Sequence, residues 1–332
     1  MDKALPTTYR VWAWREAGEP SGLCMEKRPL PQPGPGEVLI ANRSIGLNPV
    51  DWKMIAWGNP DWKPGHVPGV DGVGHIVAAS PDVHLPLGLR VAYHQSLARD
   101  GSFAEFTVVD SASIIPVPDS VDDIMAAAVP CPALTAWQAL QKISLRYGAR
   151  DVLVVGAGGA VGLVLSQLAV AQGWRVWATA SSRHRDKLLS LGISGVFDYH
   201  LNDWSKQLQE ALGARKLYAA FDTVSRDHAA SLLPMIGYNG HLVCIQDRID
   251  QNPQAPFSTA VSCHEVALNS IHAYGTEADW RDWRTAGTNL FEMITRGMLV
   301  VPDIEAFSFP SLPRALTQIK KNLNTGKAIV FF

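Results

Sequence analysis

The chain is poor in cysteine. Its four, Cys24, Cys131, Cys244 and Cys263, are widely scattered, and no two stand at a zinc-ligand spacing. Neither a structural metal lobe nor a disulfide framework follows from that pattern. The four read as reduced thiols of a cytoplasmic protein, each a small buried apolar residue. Charge is also scarce: 18% of the residues are charged and the net charge is −2. That balance gives no reason to expect nucleic acid or an anionic membrane as a partner. The opening Met-Asp-Lys-Ala-Leu-Pro lacks the apolar core and cleavage site of a signal peptide. Repeats, low-complexity tracts and long disordered linkers are missing too.

One stretch lacks charge for a different reason. The 23 residues between Asp151 and Arg175 carry none, about the length of a membrane span. They contain Gly156, Gly158, Gly159, Gly162, Gln167 and Gln172, and their apolar period changes from strand-like to helix-like midway. A buried strand plus helix inside an α/β domain has that texture.

That segment, Val152 to Gly162, is also the most informative one. A strand runs into a glycine-rich turn that opens a helix, leaving amide groups aimed at one point with a helix dipole behind them. Such a point attracts phosphate. Gly158, Gly159, Ala160, Val161 and Gly162 are the expected contacts, with glycine where backbone must approach ligand or strand without a Cβ.

At 332 residues two domains are expected. The first ~120 residues carry strand and turn signals, such as Val38–Ile45 and Ala104–Val109, and few helices, so an irregular β unit is expected. After Asp122 the texture becomes strand–helix alternation. Strands are expected at 152–155, 175–180, 195–199, 217–222 and 241–245, with helices at 161–172, 184–191 and 204–212. Alternation at this spacing predicts a doubly wound parallel sheet. Helices at 283–296 and 312–322 and a strand at 328–332 close the chain, and this tail is expected to return to the first domain.

The tip of the second strand selects the coenzyme in a dinucleotide fold. Here Thr179-Ala180 is followed by Ser181, Ser182, Arg183, His184 and Arg185, and no carboxylate appears before Asp186. Hydroxyls and guanidiniums suit a 2′-phosphate, so NADPH is expected rather than NADH. A solvated helix start is the alternative for Arg183 and Arg185.

Several further motifs occur in order: Pro33-Gly-Pro-Gly-Glu-Val, Leu47-Asn-Pro-Val-Asp-Trp-Lys, Pro68-Gly-Val-Asp-Gly-Val-Gly, Gly101-Ser-Phe-Ala-Glu-Phe, Leu134-Thr-Ala-Trp and Gly326-Lys. With them the chain resembles the medium-chain dehydrogenase/reductase superfamily, and within it the zinc-free quinone oxidoreductase-like branch. The resemblance implies a GroES-like β domain (1–123 and 275–332) and a Rossmann domain (124–274), with the nicotinamide in the cleft between them. It also implies a homodimer formed through an edge strand near Val266–Ala273. Ala157 replaces the turn's first glycine, which is usual in that branch, and Ala160 is a mild departure.

The resemblance assigns roles to single residues. Arg185 and Tyr199 stand where relatives hold the 2′-phosphate, with a strand-end aromatic as the alternative for Tyr199, and Lys327 is placed with the cofactor-binding residues. Asn48 is expected to hydrogen-bond the nicotinamide ribose or a substrate oxygen, or else is an ordinary turn asparagine. Asp51 either belongs to that cleft or fixes the loop by pairing with Lys53. Lys53 either donates to a developing oxyanion or is a solvated lysine, and Thr135 is a hydroxyl near the nicotinamide or a helix-start threonine. Trp52, Trp57 and Trp62 either wall an aromatic pocket or pack in the core.

Zinc relatives carry a cysteine where this chain has Asn48, and Gly-His-Glu where it has Gly69-Val70-Asp71. His66 and His75 flank the missing ligand out of register, so no metal is expected. Without a Lewis acid, a quinone or α,β-unsaturated carbonyl is the favoured acceptor, because hydride addition spreads charge into a phenolate or enolate. A metal-free carbonyl reductase, or an idle NADPH-binding protein, are the alternatives.

Overall fold

The computed structural model describes residues 5–144, 150–224 and 226–332. These fall into two compact units, one built from the chain up to Cys131 together with Asn269 onward, the other from Pro132–Leu268. The fold is mixed α/β, a GroES-like sheet unit and a Rossmann-like parallel one.

The second unit holds a six-stranded sheet in the spatial order Gly195–Phe197, Arg175–Thr179, Asp151–Val154, Leu217–Asp222, Ile236–Cys244 and Ser262–Glu265. Every neighbouring pair is parallel. Counted from Asp151–Val154, the order is 3-2-1-4-5-6, the doubly wound arrangement whose ligand crevice lies off the carboxyl ends of the strands. Strand residues such as Val152, Leu153, Ala219 and Phe221 are fully buried, as a sheet covered on both faces requires. The uncharged segment is therefore interior strand and helix. No helix among the described residues is long and apolar enough to cross a membrane.

In the first unit the principal sheet runs Ile304–Ser308, Lys327–Phe331, Glu37–Gly46, Asp71–Ala79, Arg90–His94 and Ile114–Pro116, with Phe106–Asp110 also paired to Glu37–Gly46. The carboxy-terminal strand pairs antiparallel with Glu37–Gly46, Ile329 opposite Gly46. That pairing, extended by Leu47 N–H donating to Ala328 C=O (3.1 Å), carries Lys327 to the end of the strand that leads into Asn48. Val38, Ile40, Ile76, Val91, Tyr93, Val109 and Ile114 form one core cluster of this unit.

Several expectations are corrected. The first unit contains a nine-residue helix, Pro49–Trp57, directly after Asn48. Proline at its first position and a capping box between Asn48 and Asp51 start it. The outermost strand of the parallel sheet is Ser262–Glu265, whereas Leu268–Ser270 and Ile271–Tyr274 are helical, so no strand occupies 266–273. The long helix begins at Glu277 rather than 283, because Thr276 and Asp279 form a second capping box. Cys24 and Cys263 are exposed, not buried.

Candidate functional site

The glycine turn is held by backbone hydrogen bonds and by two threonine hydroxyls, Gly156 N–H donating to Thr179 Oγ1 (3.1 Å) and Thr223 Oγ1 donating to Val155 C=O (2.9 Å). Val155 N–H reaches Phe221 C=O, Ala157 N–H reaches Thr179 C=O, and Gly159 N–H reaches Gly156 C=O, all at 2.9–3.0 Å. Gly156 lies in the left-handed region (φ 72°), which a side chain would strain. A Cβ on Gly162 would stand 2.4 Å from Gly156 C=O, so glycine there lets the helix Ala160–Ala171 press on the turn. Gly159 caps that helix with no side-chain bond to its first amides. Gly159 is exposed, while Gly158, Ala160 and Val161 are half-buried around it.

Beyond the second strand, Ser181 is half-buried and Ser182, Arg183 and Arg185 are exposed. Arg185 Nη1 donates to Val196 C=O (2.9 Å) and Arg183 Nε donates to His184 Nε2 (3.0 Å). Tyr199 is exposed and lies against His200, ring centres 4.2 Å apart. A carboxylate the sequence did not place here also arrives. Asp198 Oδ2 accepts from Ser182 N–H (3.2 Å), and Asp198 Oδ1 bonds His200 Nδ1 (2.7 Å). Hydrogen bonds from His200 hold the Asp198 carboxyl below its usual range. Thr135 also belongs to this unit, buried in the helix Pro130–Gln141.

The first unit gathers a buried polar chain. Lys327 Nζ donates to Leu47 C=O (2.8 Å) and to Asn48 Oδ1 (2.5 Å). Asn48 Nδ2 donates to Asp71 Oδ2 (2.8 Å) and, more weakly, to Gly46 C=O (3.3 Å). Asp71 Oδ1 faces His94 Nδ1 at 3.0 Å, and both oxygens accept from Cys131 N–H at 3.0–3.1 Å. Asn48, Asp71, His94 and Lys327 are all buried. Asn48 thus spends its amide inside the unit, holding Lys327 to Asp71.

Asp51 takes the Asn48 N–H (2.7 Å) through Oδ2, while its Oδ1 has no partner in good hydrogen-bond geometry among the described residues. Burial pushes its carboxyl up to about 7, the Asn48 N–H offsetting, the Asp71 charge adding, and Lys327 and the Val70 N–H offsetting further. Asp51 therefore fixes the helix start, not Lys53. The Lys53 ammonium lies 5.8 and 5.9 Å from the Trp52 and Trp57 rings. Trp62 is separate, buried edge-on to Trp14 and stacked on His66 (4.2 Å).

Three residues here were not singled out from sequence. Asp71, His94 and Cys131 bring one potential ligand atom each within 4.8 Å of one another. The set has a metal shell's composition, yet Asp71 already accepts from Asn48 and Cys131 and faces His94 at hydrogen-bond distance. A buried carboxyl so engaged has its hydrogen-bonding capacity largely filled by these neighbours. Among the described residues His94 Nε2 has no hydrogen-bond partner, nor has Nε2 of His272, whose ring centre lies 5.8 Å away.

Comparison with known proteins gives a consistent pattern. Residues 34–119 match the alcohol dehydrogenase GroES-like domain and residues 160–291 the zinc-binding dehydrogenase domain. Two fungal proteins are similar, the trans-enoyl reductases tndF of Aspergillus flavipes and tazE of Aspergillus terreus. The first is 34% identical over 212 residues, 58% of this chain, and the second 32% over 220, 60% of it. The matches span 61% of the first relative's length, under two thirds, and 72% of the second's. A quinone oxidoreductase of Pseudomonas aeruginosa is 27% identical over 305 residues, 90% of this chain and 92% of that one. The crystal structure of a Pseudomonas syringae pv. tomato quinone oxidoreductase shares the fold at TM-score 0.85 and 24% identity, covering 98% of this chain and 100% of that one.

Proposed function

The chain belongs to the medium-chain dehydrogenase/reductase superfamily, in its quinone oxidoreductase-like branch, and on that premise we propose that it is an NADPH-dependent, zinc-independent reductase of quinones or α,β-unsaturated carbonyls. A nicotinamide cofactor and oxidoreductase chemistry come with the family. The choice of NADPH, the lack of zinc and the acceptor class are the proposal.

The turn suits a dinucleotide. Gly156 and Gly162 let the Thr223 hydroxyl and the turn's own backbone pack where a Cβ would clash, and Gly159 leaves the helix amides uncovered for a pyrophosphate. Arg183, with the Ser181 and Ser182 hydroxyls, offers charge and donors to a 2′-phosphate. The Asp198 carboxylate opposes it, being held instead by His200 and the Ser182 amide.

One observation carries the choice of chemistry: the buried chain Lys327–Asn48–Asp71–His94. The bound reduced nicotinamide would supply hydride. A conjugated acceptor needs only hydrogen-bond donors for the charge it then delocalises, each worth about 3 kcal/mol by oxyanion-hole precedent. Lys327 has three N–H donors, two of them used within the unit. Its third N–H and positive charge are what this unit offers a developing enolate or phenolate. Asn48, clamped by Asp71, fixes where that ammonium stands.

Dialysed against a chelator, the protein should oxidise NADPH with 1,4-benzoquinone or an enone and carry far less than one equivalent of metal. The enone product should be the saturated ketone rather than the allylic alcohol. Tight NADPH binding without turnover across a broad acceptor panel, or activity that zinc restores, would overturn the reading.

A further inference from the structure

The imidazole of His184 lies directly on the nucleotide turn. A Cβ on Gly158 would stand 2.4 Å from His184 Cδ2 and 2.9 Å from Cγ and Nε2, so this ring takes the space a side chain at 158 would fill. The ring's Nε2 accepts from Arg183 Nε at 3.0 Å. The ring is thus fixed by the turn and in turn fixes Arg183. The two guanidiniums of the segment then differ. Arg185 spends Nη1 on Val196 C=O, while Arg183 keeps both terminal nitrogens off every other described residue. A guanidinium held at Nε presents Nη1 and Nη2 as a fork, the geometry suited to a bidentate grip on phosphate.

We propose that His184 sets coenzyme choice by accepting a hydrogen bond from Arg183 and so aiming that guanidinium at the adenosine 2′-phosphate of NADPH. This rests on the NADPH reading above. His184 is a positioning residue here, acting through its ring Nε2 on the Arg183 guanidinium. Its anchoring to Gly158 couples the aim of Arg183 to the same turn that receives the pyrophosphate.

A merely structural role would look different. A ring that only supports the turn affects the pyrophosphate, which NADH and NADPH share, so both coenzymes would weaken together when it is removed. An aiming role touches only the 2′-phosphate. Equilibrium dissociation constants for both coenzymes, read from quenching of intrinsic tryptophan fluorescence, separate the two without any turnover.

In the wild-type protein NADPH should bind more tightly than NADH. His184→Leu should weaken NADPH roughly tenfold, the scale of one charge-assisted hydrogen bond, and leave NADH unchanged. His184→Gln, which keeps an acceptor oxygen, should retain most of the preference. In an Arg183→Ala background His184→Leu should cost nothing more, since the two act through one contact. Equal weakening of both coenzymes, or an intact preference in His184→Leu, would overturn the role of His184 while leaving the NADPH reading standing. A wild-type protein with no preference would instead sink the NADPH reading, and this inference with it.

Discussion

Lys327 and Asn48, 279 positions apart in sequence, share a buried hydrogen bond of 2.5 Å. It joins the last strand of the chain to the start of the helix Pro49–Trp57, and through Asn48 it connects an ammonium to the Asp71 carboxylate. Replacing Lys327 by Met leaves Leu47 C=O and Asn48 Oδ1 as buried acceptors without a donor. Each such loss costs about 1–3 kcal/mol. Denaturant unfolding should show a stability loss of that order, with reductase turnover falling as well.

Asp51 gives a pH signature. Its folded-state carboxyl is pushed up to about 7, against 3.8 for the free group. Between those values the folded protein holds a proton the unfolded chain has released, so this residue makes stability fall as pH rises through that window. Below pH 4 both states are protonated and the effect vanishes. Asp51→Asn removes the ionisation, so its stability relative to wild type should improve from pH 5 to pH 8, by a few kcal/mol at most. Urea unfolding at the two pH values checks this. An unchanged difference would show that Asp51 ionises in the fold as it does in water.

Gly162 separates packing from composition. A Cβ there meets Gly156 C=O at 2.4 Å and Ala157 Cα at 2.8 Å, both backbone atoms that cannot swing away. Gly162→Ala should cost about 1–3 kcal/mol by overpacking and abolish measurable NADPH binding by fluorescence titration. Gly22→Ala, with nothing within 4 Å of its added Cβ, is the matched control and should bind normally.

What the sequence revealed follows from how local each signal is. The parallel sheet was legible because strand, glycine turn and helix are contiguous in Val152–Ala171, with the alternation repeating after it. The helix at Pro49 was hidden because Asn-Pro-Val-Asp reads equally well as a turn. Only a capping box closed in space, with Asn48 N–H on Asp51, makes it a helix start. Asp71, His94 and Cys131 escaped because they are 23 and 60 positions apart and meet only through sheet register and a helix start. A carboxylate in Gly-Val-Asp-Gly flanked by apolar residues was the available clue, since a buried Asp must find partners. Asp198 was missed for the same reason: it reaches the second strand's tip from the end of the third.

Deuterium transfer tests the central claim most directly. With NADPH deuterated at the transferring position of nicotinamide carbon 4 and cyclohexenone as acceptor, in chelator-treated buffer, NMR of the product should place the label on the carbon β to the carbonyl. Label on the carbonyl carbon would show direct ketone reduction and contradict the account of a metal-free site that hands hydride to a conjugated acceptor.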